Sequence, residues 1–541
     1  MRHGGRILVE QLARLGVERV FSVPGESFLA VLDGLHDSAI ANVVCRHEGG
    51  AAMMAEAQGK LTGRPGVAFV TRGPGATNAS AGVHVARQDS TPMVLFVGQI
   101  ARGDRDREAF QEVDYRAMFA PLAKWVAEID DAARIPEYVG RAFEVAMSGR
   151  PGPVVLALPE DVLSGLAEAR DLAPAPERLA PDLSAPAARI MERLSRAERP
   201  LVVVGGPHWS TAAAADLARF AETQGLPVGV GFRRQDYMDN RHPNYAGDLN
   251  VGVNPKLAER VRAADALLVI GSRLGDIETQ GYTLIDPAGH DKALIHVHAD
   301  ADEIGRVWRP ELATVARAPA MLSALVDLAP CGADWAGWTA AARADYDSWL
   351  SPKETPGAVK LERIIGWLSD NLEEDAILTN GAGNYAGWLH RYFRFKGFRT
   401  QLAPTSGSMG YGFPAAISAA LAHPDRTVVC LAGDGCFQMT LNEMSTVAQH
   451  GAAPIVIVVN NGRYGTIRMH QERHYPGRVS GTALANPDFA ALAEAYGGHG
   501  EVVERDADFA PAFERARRSG RVAVIELRVD PAALSTGQTL T

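Results

Sequence analysis

Short continuous runs of apolar, often β-branched residues recur along this chain, and nearly all are closed by glycine. Three lie in a first block (VERVFSVPGE, GVAFVTRGPGATN, TPMVLFVGQ), three in a second (PLVVVGGP, ALLVIGSRLGD, ALIHVHAD) and four in a third (AILTNGAG, TVVCLAGDG, PIVIVVNNG, VAVIELRVD). The runs do not alternate between apolar and polar residues, which is typical of parallel strands covered on both faces. The pattern predicts an α/β protein with three doubly wound parallel-sheet domains.

Two changes of composition divide the chain into these blocks. Residues 171–187 (DLAPAPERLAPDLSAPA) are rich in Pro and Ala and lack apolar periodicity, which indicates an interdomain linker. Residues 330–360 combine helical patches with several prolines. Because 541 residues suit roughly three domains, we predict domains at residues 1–170, 187–330 and 356–541.

Composition and charge exclude several classes of function. A net charge of −10 provides no basic footprint for nucleic acid or an anionic membrane. The longest apolar runs have the size of strands, and the N-terminus lacks the apolar core of a signal peptide. Four cysteines without CxxC spacing indicate reduced thiols rather than a zinc site or disulfides. We expect a cytoplasmic protein that binds neither nucleic acid nor membrane.

The segment TVVCLAGDGCFQMTLNEMSTVAQHGAAPIVIVVNN, residues 427–461, carries the strongest chemical signal. One apolar strand leads into Gly433-Asp434-Gly435, and the next ends at Asn460-Asn461. Because the carboxyl ends of neighbouring parallel strands meet at one edge of a sheet, Asp434 and Asn461 can face one pocket. Two hard oxygen ligands beside glycines suit Mg²⁺ bound to a diphosphate, whereas a Gly-Asp-Gly turn by itself is common and has an unrelated α/β turn as its alternative.

This strand-end arrangement resembles the thiamine-diphosphate motif, and further ordered motifs extend the resemblance through most of the chain. Together they resemble the thiamine-diphosphate-dependent 2-oxo acid decarboxylases and carboligases, particularly the acetolactate synthase catalytic subunits. The motifs are VPGE (Val23 to Glu26), RHE (Arg46 to Glu48), GPGATN (Gly73 to Asn78), AFQE (Ala109 to Glu112), SGRPGPV (Ser148 to Val154) and SMGYGFPAAI (Ser408 to Ile417).

The resemblance implies particular roles for three residues. Glu48 matches the glutamate that shares a proton with N1′ of the aminopyrimidine, and Gln111 matches a residue beside the reaction centre. Met409 matches the apolar wedge that bends the cofactor. Without the resemblance, Glu48 reads as a solvated carboxylate at a helix start and Met409 as a residue filling a gap in the core.

The resemblance also implies the cofactor and its ligands. It assigns Mg²⁺ to the side chains of Asp434 and Asn461 and to the backbone carbonyl of Arg463. The implied thiamine-diphosphate site comprises Pro24, Gly25, Glu48, Gly73, Asn78, Gly383, Asn384, Gly407, Met409, Gly433, Asp434, Gly435, Cys436, Asn461, Arg463 and Gly465. Because Glu48 and the metal motif lie in different domains, the resemblance further implies a homodimer or homotetramer with active sites between subunits.

Several positions depart from the acetolactate synthase pattern. Glu160 stands where those enzymes have a lysine lining the substrate channel, and His470 stands where they have a tryptophan that helps to choose the second substrate. Tyr385 replaces a histidine, and Cys436 replaces a hydroxyl or small residue. For Glu160 and His470, a solvated surface side chain without a role remains the alternative.

The sequence of the central block bears on whether this protein binds FAD. Acetolactate synthases carry a redox-idle FAD there, but their Met-His-Gly segment is replaced in this chain by GDLNVGVNP, residues 247–255. Gly205-Gly206 and Gly271-Ser272-Arg273 remain and could cradle an adenine dinucleotide or ADP. FAD is therefore left open but is not favoured.

The resemblance implies that a small 2-oxo acid is decarboxylated and then joined to a second oxo acid, as when two pyruvates give acetolactate and CO₂ in branched-chain amino acid biosynthesis. The alternative is a decarboxylase or carboligase of the same superfamily with a different donor or acceptor. A non-catalytic homologue is disfavoured because Glu48, Met409, Asp434 and Asn461 are all present.

Overall fold

A computed structural model describes residues 1–174 and 181–540. It contains three six-stranded sheets in which all neighbouring strands run parallel, so the predicted three-sheet α/β fold is confirmed. Residues 175–180 of the predicted linker lie outside the described residues, and a helix already begins at Ser184. Within the described residues, no helix is both long enough and apolar enough to span a bilayer.

The first sheet lies in the N-terminal third of the chain, and a short antiparallel ribbon of β1 (Arg2–His3) and β8 (Leu166–Ala167) lies beside it. The other strands are β2 (Arg19–Ser22), β3 (Ala41–Val44), β4 (Gly66–Val70), β5 (Met93–Gln99), β6 (Trp125–Glu128) and β7 (Pro153–Pro159). The helices are α1 (Gly4–Arg14), α2 (Leu29–His36), α3 (Glu48–Thr62), α4 (Pro74–Asp89), α5 (Tyr115–Phe119), α6 (Ile135–Met147) and α7 (Glu160–Ser164).

The second sheet forms the central domain. Its strands are β9 (Pro200–Val204), β10 (Val228–Val230), β11 (Tyr245–Asp248), β12 (Ala266–Ile270), β13 (Ala293–His298) and β14 (Leu312–Val315). The helices of this part are α8 (Ser184–Leu194), α9 (Thr211–Gln224), α10 (Pro255–Ala263), α11 (Ala318–Val326) and α12 (Ala336–Trp349).

The third sheet lies in the C-terminal third, where the short ribbon β21 (Ala533–Ser535) and β22 (Gln538–Thr539) follows it. Its strands are β15 (Ile377–Asn380), β16 (Gln401–Leu402), β17 (Val428–Gly433), β18 (Ile455–Asn460), β19 (His499–Val503) and β20 (Ala523–Arg528). The helices are α13 (Leu361–Asn371), α14 (Ala386–Tyr392), α15 (Gly412–Ala422), α16 (Asp434–Gln438), α17 (Met444–His450), α18 (Gly465–His474), α19 (Phe489–Ala495) and α20 (Phe509–Arg518).

The order of strands distinguishes the central sheet from the outer two. The first sheet runs β3-β2-β4-β5-β7-β6 and the third runs β16-β15-β17-β18-β20-β19, which is the same arrangement. The central sheet runs β11-β10-β9-β12-β13-β14, the order of dinucleotide-binding sheets. In each sheet the chain reverses its winding direction beside the first strand, so a crevice opens at the carboxyl ends of the central strands.

The first and third sheets share one hydrophobic core, which helices α3 and α15 join. Both helices contribute small residues to this core, among them Ala52 and Ala55 on α3 and Ala415 and Ala416 on α15, and all four are fully buried. Small side chains let two helix backbones approach closely, so the segments GGAAMMAEA and GFPAAISAA serve this contact. The packing fixes the third sheet relative to the first within one chain.

A buried charge cluster connects all three domains. Lys60 Nζ lies 2.9 Å from Asp89 Oδ2 and 3.1 Å from Glu56 Oε1. The hydroxyl of Tyr411 donates to Glu56 Oε2 at 2.6 Å, and Arg234 of the central domain donates to the Asp89 carbonyl oxygen at 3.2 Å. Both carboxylate side chains are fully buried, so the ammonium of Lys60 compensates charge that water does not reach.

We expect the Lys60→Met substitution to lower the free energy of unfolding by about 3–5 kcal/mol, because it leaves buried Glu56 without an ion-pair partner and Asp89 with only the more distant Arg234, at 3.9 Å. Lys256→Met is the matched control, since Lys256 is exposed and its ion pair with Asp345 is a surface pair whose loss costs about 1 kcal/mol or less. Urea unfolding followed by tryptophan fluorescence measures both variants. Equal midpoints for the two variants would contradict the role given to Lys60.

Candidate active site

A cavity lies at the carboxyl edge of the third sheet. Strands β15, β17 and β18 end beside it, and helices α16 and α18 begin there, so backbone N–H groups of two helix starts point toward it. All the cofactor-binding residues predicted in this domain line the cavity: Gly383, Asn384, Gly407, Met409, Gly433, Asp434, Gly435, Cys436, Asn461, Arg463 and Gly465. The structure therefore brings them together, while their roles in binding stay predictions.

Asp434 is the buried carboxylate of this cavity, with only 3% of its surface exposed. Its Oδ1 accepts the N–H of Gly435 at 2.8 Å, and its Oδ2 accepts the N–H of Gly462 at 2.9 Å and the amide of Asn486 at 2.7 Å. Burial raises the pKa of Asp434, although these donors oppose the shift. A cation at the carboxylate would offset this burial cost.

Asn461 lies beside Asp434 because of the strand register. Parallel pairing places Gly433 opposite Val459, so the residues that follow each strand emerge at the same edge. The Asn461 Oδ1 accepts the N–H of Arg463 at 3.2 Å, which orients the carboxamide. Because a Cβ at Gly435 would lie 2.6 Å from the ring of Tyr464, a side chain at this position would disturb the wall next to Asp434.

These residues fit a hard divalent cation. Carboxylate, carboxamide and backbone carbonyl oxygens are the ligands that Mg²⁺ prefers, and one carboxylate with a diphosphate is a common way to hold it. Within the described residues, no group of three or more His, Cys, Asp or Glu side chains forms a metal site. A metal here would accordingly depend on Asp434 together with neutral oxygens and the ligand's own phosphates.

Tyr385 and Cys436, two of the departures, contact each other in the cavity wall. The Tyr385 hydroxyl donates to Cys436 Sγ at 3.3 Å and accepts the N–H of Gly381 at 3.1 Å. Cys436 Sγ also accepts the N–H of Gly410 at 3.2 Å. The thiol sulfur thus serves as a hydrogen-bond acceptor within the protein.

Asn384 is held by a residue that the sequence motifs do not include. Its N–H donates to Thr466 Oγ1 at 2.9 Å, the same hydroxyl donates back to Asn384 Oδ1 at 3.0 Å, and its amide donates to the carbonyl of Leu534 at 2.8 Å. Asn384 therefore joins the start of α18 and the C-terminal ribbon to the loop after β15. Its side chain shapes the cavity wall through these contacts.

Met409 and Gly407 also line the cavity. Met409 is half-buried and packs against the core of the third domain. Gly407 is exposed with a φ of +67°, a conformation that glycine adopts without strain. An apolar side chain that borders a cavity and rests on the core is suited to the predicted wedge.

The predicted residues of the first domain form a second, open cluster at the carboxyl edge of the first sheet. The amide of Asn78 donates to Glu48 Oε2 at 2.9 Å, and a Cβ at Gly73 would lie 2.9 Å from the Cβ of Gln111. Gln111 has a φ of +68°, which is uncommon for a residue with a side chain. Pro24 and Gly25 follow β2, with Gly25 packed against Thr71 so tightly that a Cβ there would overlap it.

These two clusters do not meet within one chain. No described residue of the first domain lines the cavity of the third domain. Glu48 is half-exposed, Asn78 is exposed, and Phe110 beside Gln111 has 74% of its surface exposed. The cluster around Glu48 is thus a half-site that faces outward.

The two substrate-related departures occupy different surroundings. Glu160, at the start of α7, forms an ion pair with Arg72 at 3.0 Å, and Arg72 also contacts Glu26 at 3.3 Å. Arg72 directly precedes Gly73, so this ion pair borders the half-site. His470 is exposed on α18 and its ring stacks on His474, with centroids 6.2 Å apart.

Two further residues position the site but are not predicted by any sequence motif. Asn486 donates to Asp434, yet it lies 52 positions further along the chain and belongs to no motif. Glu443, in a 3₁₀ turn, accepts the N–H groups of Arg46 at 3.1 Å and His47 at 3.0 Å and so anchors the start of α3. An Asn-Pro turn signal at Asn486 was the sole local hint.

Comparisons with known proteins agree with this arrangement. Residues 2–118, 187–325 and 381–527 match the families described as the N-terminal TPP binding domain, the central domain and the C-terminal TPP binding domain of thiamine pyrophosphate enzymes. The acetolactate synthase large subunit of Corynebacterium glutamicum is 32% identical over 97% of this chain and 86% of its own length. The isozyme 2 large subunit of Escherichia coli K12 is 31% identical over 98% and 96%, respectively.

An archaeal relative extends the comparison. The probable acetolactate synthase large subunit of Methanocaldococcus jannaschii is 29% identical over 98% of this chain and 92% of its own length. Both terminal domains are thus thiamine-diphosphate-binding domains, one carrying Glu48 and the other Asp434. The chain belongs to the thiamine pyrophosphate-dependent enzymes, in the family that includes the acetolactate synthase large subunits.

Proposed function

We propose that this protein decarboxylates a small 2-oxo acid and joins the product to a second oxo acid, as in the formation of acetolactate and CO₂ from two pyruvates. The observation that carries this proposal is the pairing of Asp434 and Asn461 in a glycine-lined cavity, in a chain related over nearly its full length to acetolactate synthase large subunits. Bound thiamine diphosphate supplies the carbon nucleophile for this chemistry.

The third domain holds the diphosphate end of the cofactor in this proposal. Asp434, Asn461 and the carbonyl of Arg463 bind Mg²⁺, and N–H groups at the starts of α16 and α18 donate to the diphosphate. The Gly435 N–H already donates to Asp434 within the chain, so Cys436 and Gly465 are the better placed donors. Asn486 keeps the carboxylate oriented toward the metal.

The first domain supplies proton transfer. We assign to Glu48 the task of holding a proton at N1′ of the aminopyrimidine, with Asn78 orienting the carboxylate through its 2.9 Å hydrogen bond. Met409 would contact the cofactor as its apolar wedge, and Gln111 would lie near the substrate. Each of these roles follows from the resemblance and is compatible with the position of the side chain.

The active form in this proposal contains at least two copies of the chain. The half-site around Glu48 faces outward, and exposed apolar residues accompany it on the first domain (Leu29, 61%; Phe110, 74%) and on the third (Met439, 53%; Ile467, 53%). Burial of such residues against a second copy would bring a Glu48 half-site to a cavity of the third domain. A cytoplasmic location and a place in branched-chain amino acid biosynthesis stay predictions from the sequence.

The ion pair of Glu160 with Arg72 favours a second candidate, a decarboxylase or carboligase with a neutral acceptor. Arg72 is 93% buried and contacts two carboxylates, so its guanidinium is already paired and is not free to bind an anionic second substrate. A proton or an aldehyde needs no such cation. This candidate shares the cofactor and the first decarboxylation with the leading proposal.

One product assay separates the two candidates. Purified protein with thiamine diphosphate, Mg²⁺ and pyruvate is followed for CO₂ and acetolactate together, the latter as acetoin after acid treatment. Equal release of both supports acetolactate formation, whereas CO₂ with aldehyde supports the neutral acceptor. If neither product forms, larger oxo acids replace pyruvate as donor.

We expect Glu160→Lys to raise the ratio of acetolactate to aldehyde by roughly 3-fold or more, because a cation beside the half-site attracts an anionic acceptor. Glu168→Lys, which makes the same charge change elsewhere in the first domain, is the control and leaves the ratio unchanged. An unchanged ratio in Glu160→Lys as well would show that this edge does not face the acceptor.

A further inference from the structure

A cleft lies at the carboxyl edge of the central sheet, where β9 and β12 end side by side. Sheets with this strand order bind dinucleotides at this switch point. The segments Gly205-Gly206 and Gly271-Ser272-Arg273 flank the cleft and are the sequence features that point to an adenine dinucleotide or ADP. The residues around the cleft decide whether such a ligand fits.

Close packing between the ends of β9 and β12 explains why glycines follow both strands. Gly206 has a φ of +69° and Gly271 a φ of +79°. A Cβ at Gly206 would overlap the carbonyl oxygen of Gly271, and a Cβ at Gly271 would overlap that of Gly205. Trp209 Nε1 also donates to the Gly205 carbonyl at 2.8 Å. These glycines are required for packing whether or not a nucleotide binds.

The side chain of Glu278 reaches into the glycine-lined end of the cleft. Its Oε1 lies so close to Gly231 that a Cβ there would overlap it, and it accepts the N–H of Phe232 at 3.2 Å. Its Oε2 accepts the hydroxyl of Ser272 at 2.5 Å and the N–H of Gly275 at 3.2 Å. Backbone N–H groups and a hydroxyl at a switch point are donors that suit a phosphate.

We propose that Glu278 is a built-in occupant of the central cleft, and that this protein consequently works without FAD or ADP in its central domain. The Glu278 carboxylate already accepts hydrogen bonds from the donors that a diphosphate would use. Its negative charge would also repel the negatively charged diphosphate of a dinucleotide. The FAD expected from the family thus does not fit the cleft as this chain builds it.

Two arginines, Arg234 and Arg273, line the cleft but do not neutralise Glu278. Arg273 Nη2 donates to the carbonyl of Gln88 at 3.5 Å, and Arg234 Nη2 donates to the carbonyl of Asp89 at 3.2 Å. Both guanidinium groups therefore contact the first domain. Among the described residues, neither forms an ion pair with Glu278, so its negative charge is not neutralised within the cleft.

Nucleotide binding to the full-length protein tests this proposal. Absorbance at 450 nm after gel filtration reports copurified flavin, and calorimetric titration with FAD and with ADP reports affinity. The wild type is compared with Glu278→Ala, which empties the glycine-lined end, and with Glu278→Gln, which keeps its shape but removes the charge. Glu259→Ala, an exposed carboxylate on α10 of the same domain, is the matched control.

We expect colourless wild-type protein and no saturation by ADP below about 1 mM, with Glu278→Ala binding ADP at least roughly 10-fold more tightly. Glu278→Gln still excludes ADP if the volume of the side chain blocks the cleft. It binds ADP more tightly than the wild type if the negative charge of Glu278 contributes to the exclusion. Flavin retained by the wild type, or ADP affinity equal to that of Glu278→Ala, overturns the proposal. Failure of Glu278→Ala to bind, with its melting temperature matching that of Glu259→Ala, overturns it too, because another feature would then close the cleft.

Discussion

We expect that replacing Asp434 with Ala abolishes the Mg²⁺-dependent retention of thiamine diphosphate. The substitution removes the one carboxylate among the proposed metal ligands, and the remaining carboxamide and carbonyl oxygens are neutral. Because removing groups that merely orient metal ligands already costs 10–100-fold in affinity, we expect cofactor binding with Mg²⁺ to weaken by roughly 100-fold or more. Turnover at ordinary cofactor concentrations falls with it.

Structural damage has to be separated from loss of the metal. Asp434 accepts hydrogen bonds from Gly435, Gly462 and Asn486, and Ala leaves these donors without their acceptor. Asp434→Asn keeps the size and one acceptor oxygen, so it should remain folded while binding the cofactor poorly. Asp425→Ala, an exposed carboxylate of the same domain, is the matched control.

The buried indole of Trp388 lines the cavity and provides the measurement. Its fluorescence is titrated with thiamine diphosphate in the presence of Mg²⁺ and again with EDTA. The wild type and Asp425→Ala should show tight binding that EDTA weakens. A wild-type affinity in Asp434→Ala, preserved through desalting, would remove Asp434 from the metal site.

Glu48→Gln is expected to lower turnover by roughly 10²–10⁴-fold, the range that a general acid–base group contributes. Gln retains an oxygen that can accept the hydrogen bond from Asn78, so the fold and the cofactor affinity should change little. The variant loses the capacity to hold and release a proton at the aminopyrimidine. Glu18→Gln, an exposed glutamate of the same domain, is the control.

The decisive comparison for Glu48 is between turnover and binding. Steady-state rates of CO₂ release are measured at saturating cofactor, and the Trp388 titration is repeated for each variant. A fall in rate with unchanged binding supports proton transfer by Glu48. Full activity in Glu48→Gln would exclude this role, and a parallel loss of binding would indicate a structural role instead.

Local pattern accounts for the long strands of this fold. All ten apolar runs form strands, from β2 to β20, because a buried parallel strand needs apolar residues on both faces. The pattern misses β7, which is equally apolar but ends in proline, and short edge strands such as β3 and β14. Edge strands bury one side less completely, so their composition is less distinctive.

Some residues of the candidate site are likewise predictable from the sequence, and others are not. Motifs predict the positions of Asp434, Asn461 and the glycines, since strand ends determine which residues reach the edge of a sheet. They do not predict Asn486 or Thr466, whose contacts with the site depend on how distant loops return to it. The contact between Tyr385 and Cys436 is likewise visible only when β15 and β17 lie side by side.

By itself, the sequence determined the α/β class, the three sheets and the chemical types gathered at the edge of the third sheet, because apolar period and glycine placement are local properties. Tertiary structure decided which distant groups meet. It brought Lys60 to two buried carboxylates, left Glu48 facing outward and placed Glu278 against Gly231. Such contacts depend on the packing of whole domains, which no short stretch of residues encodes.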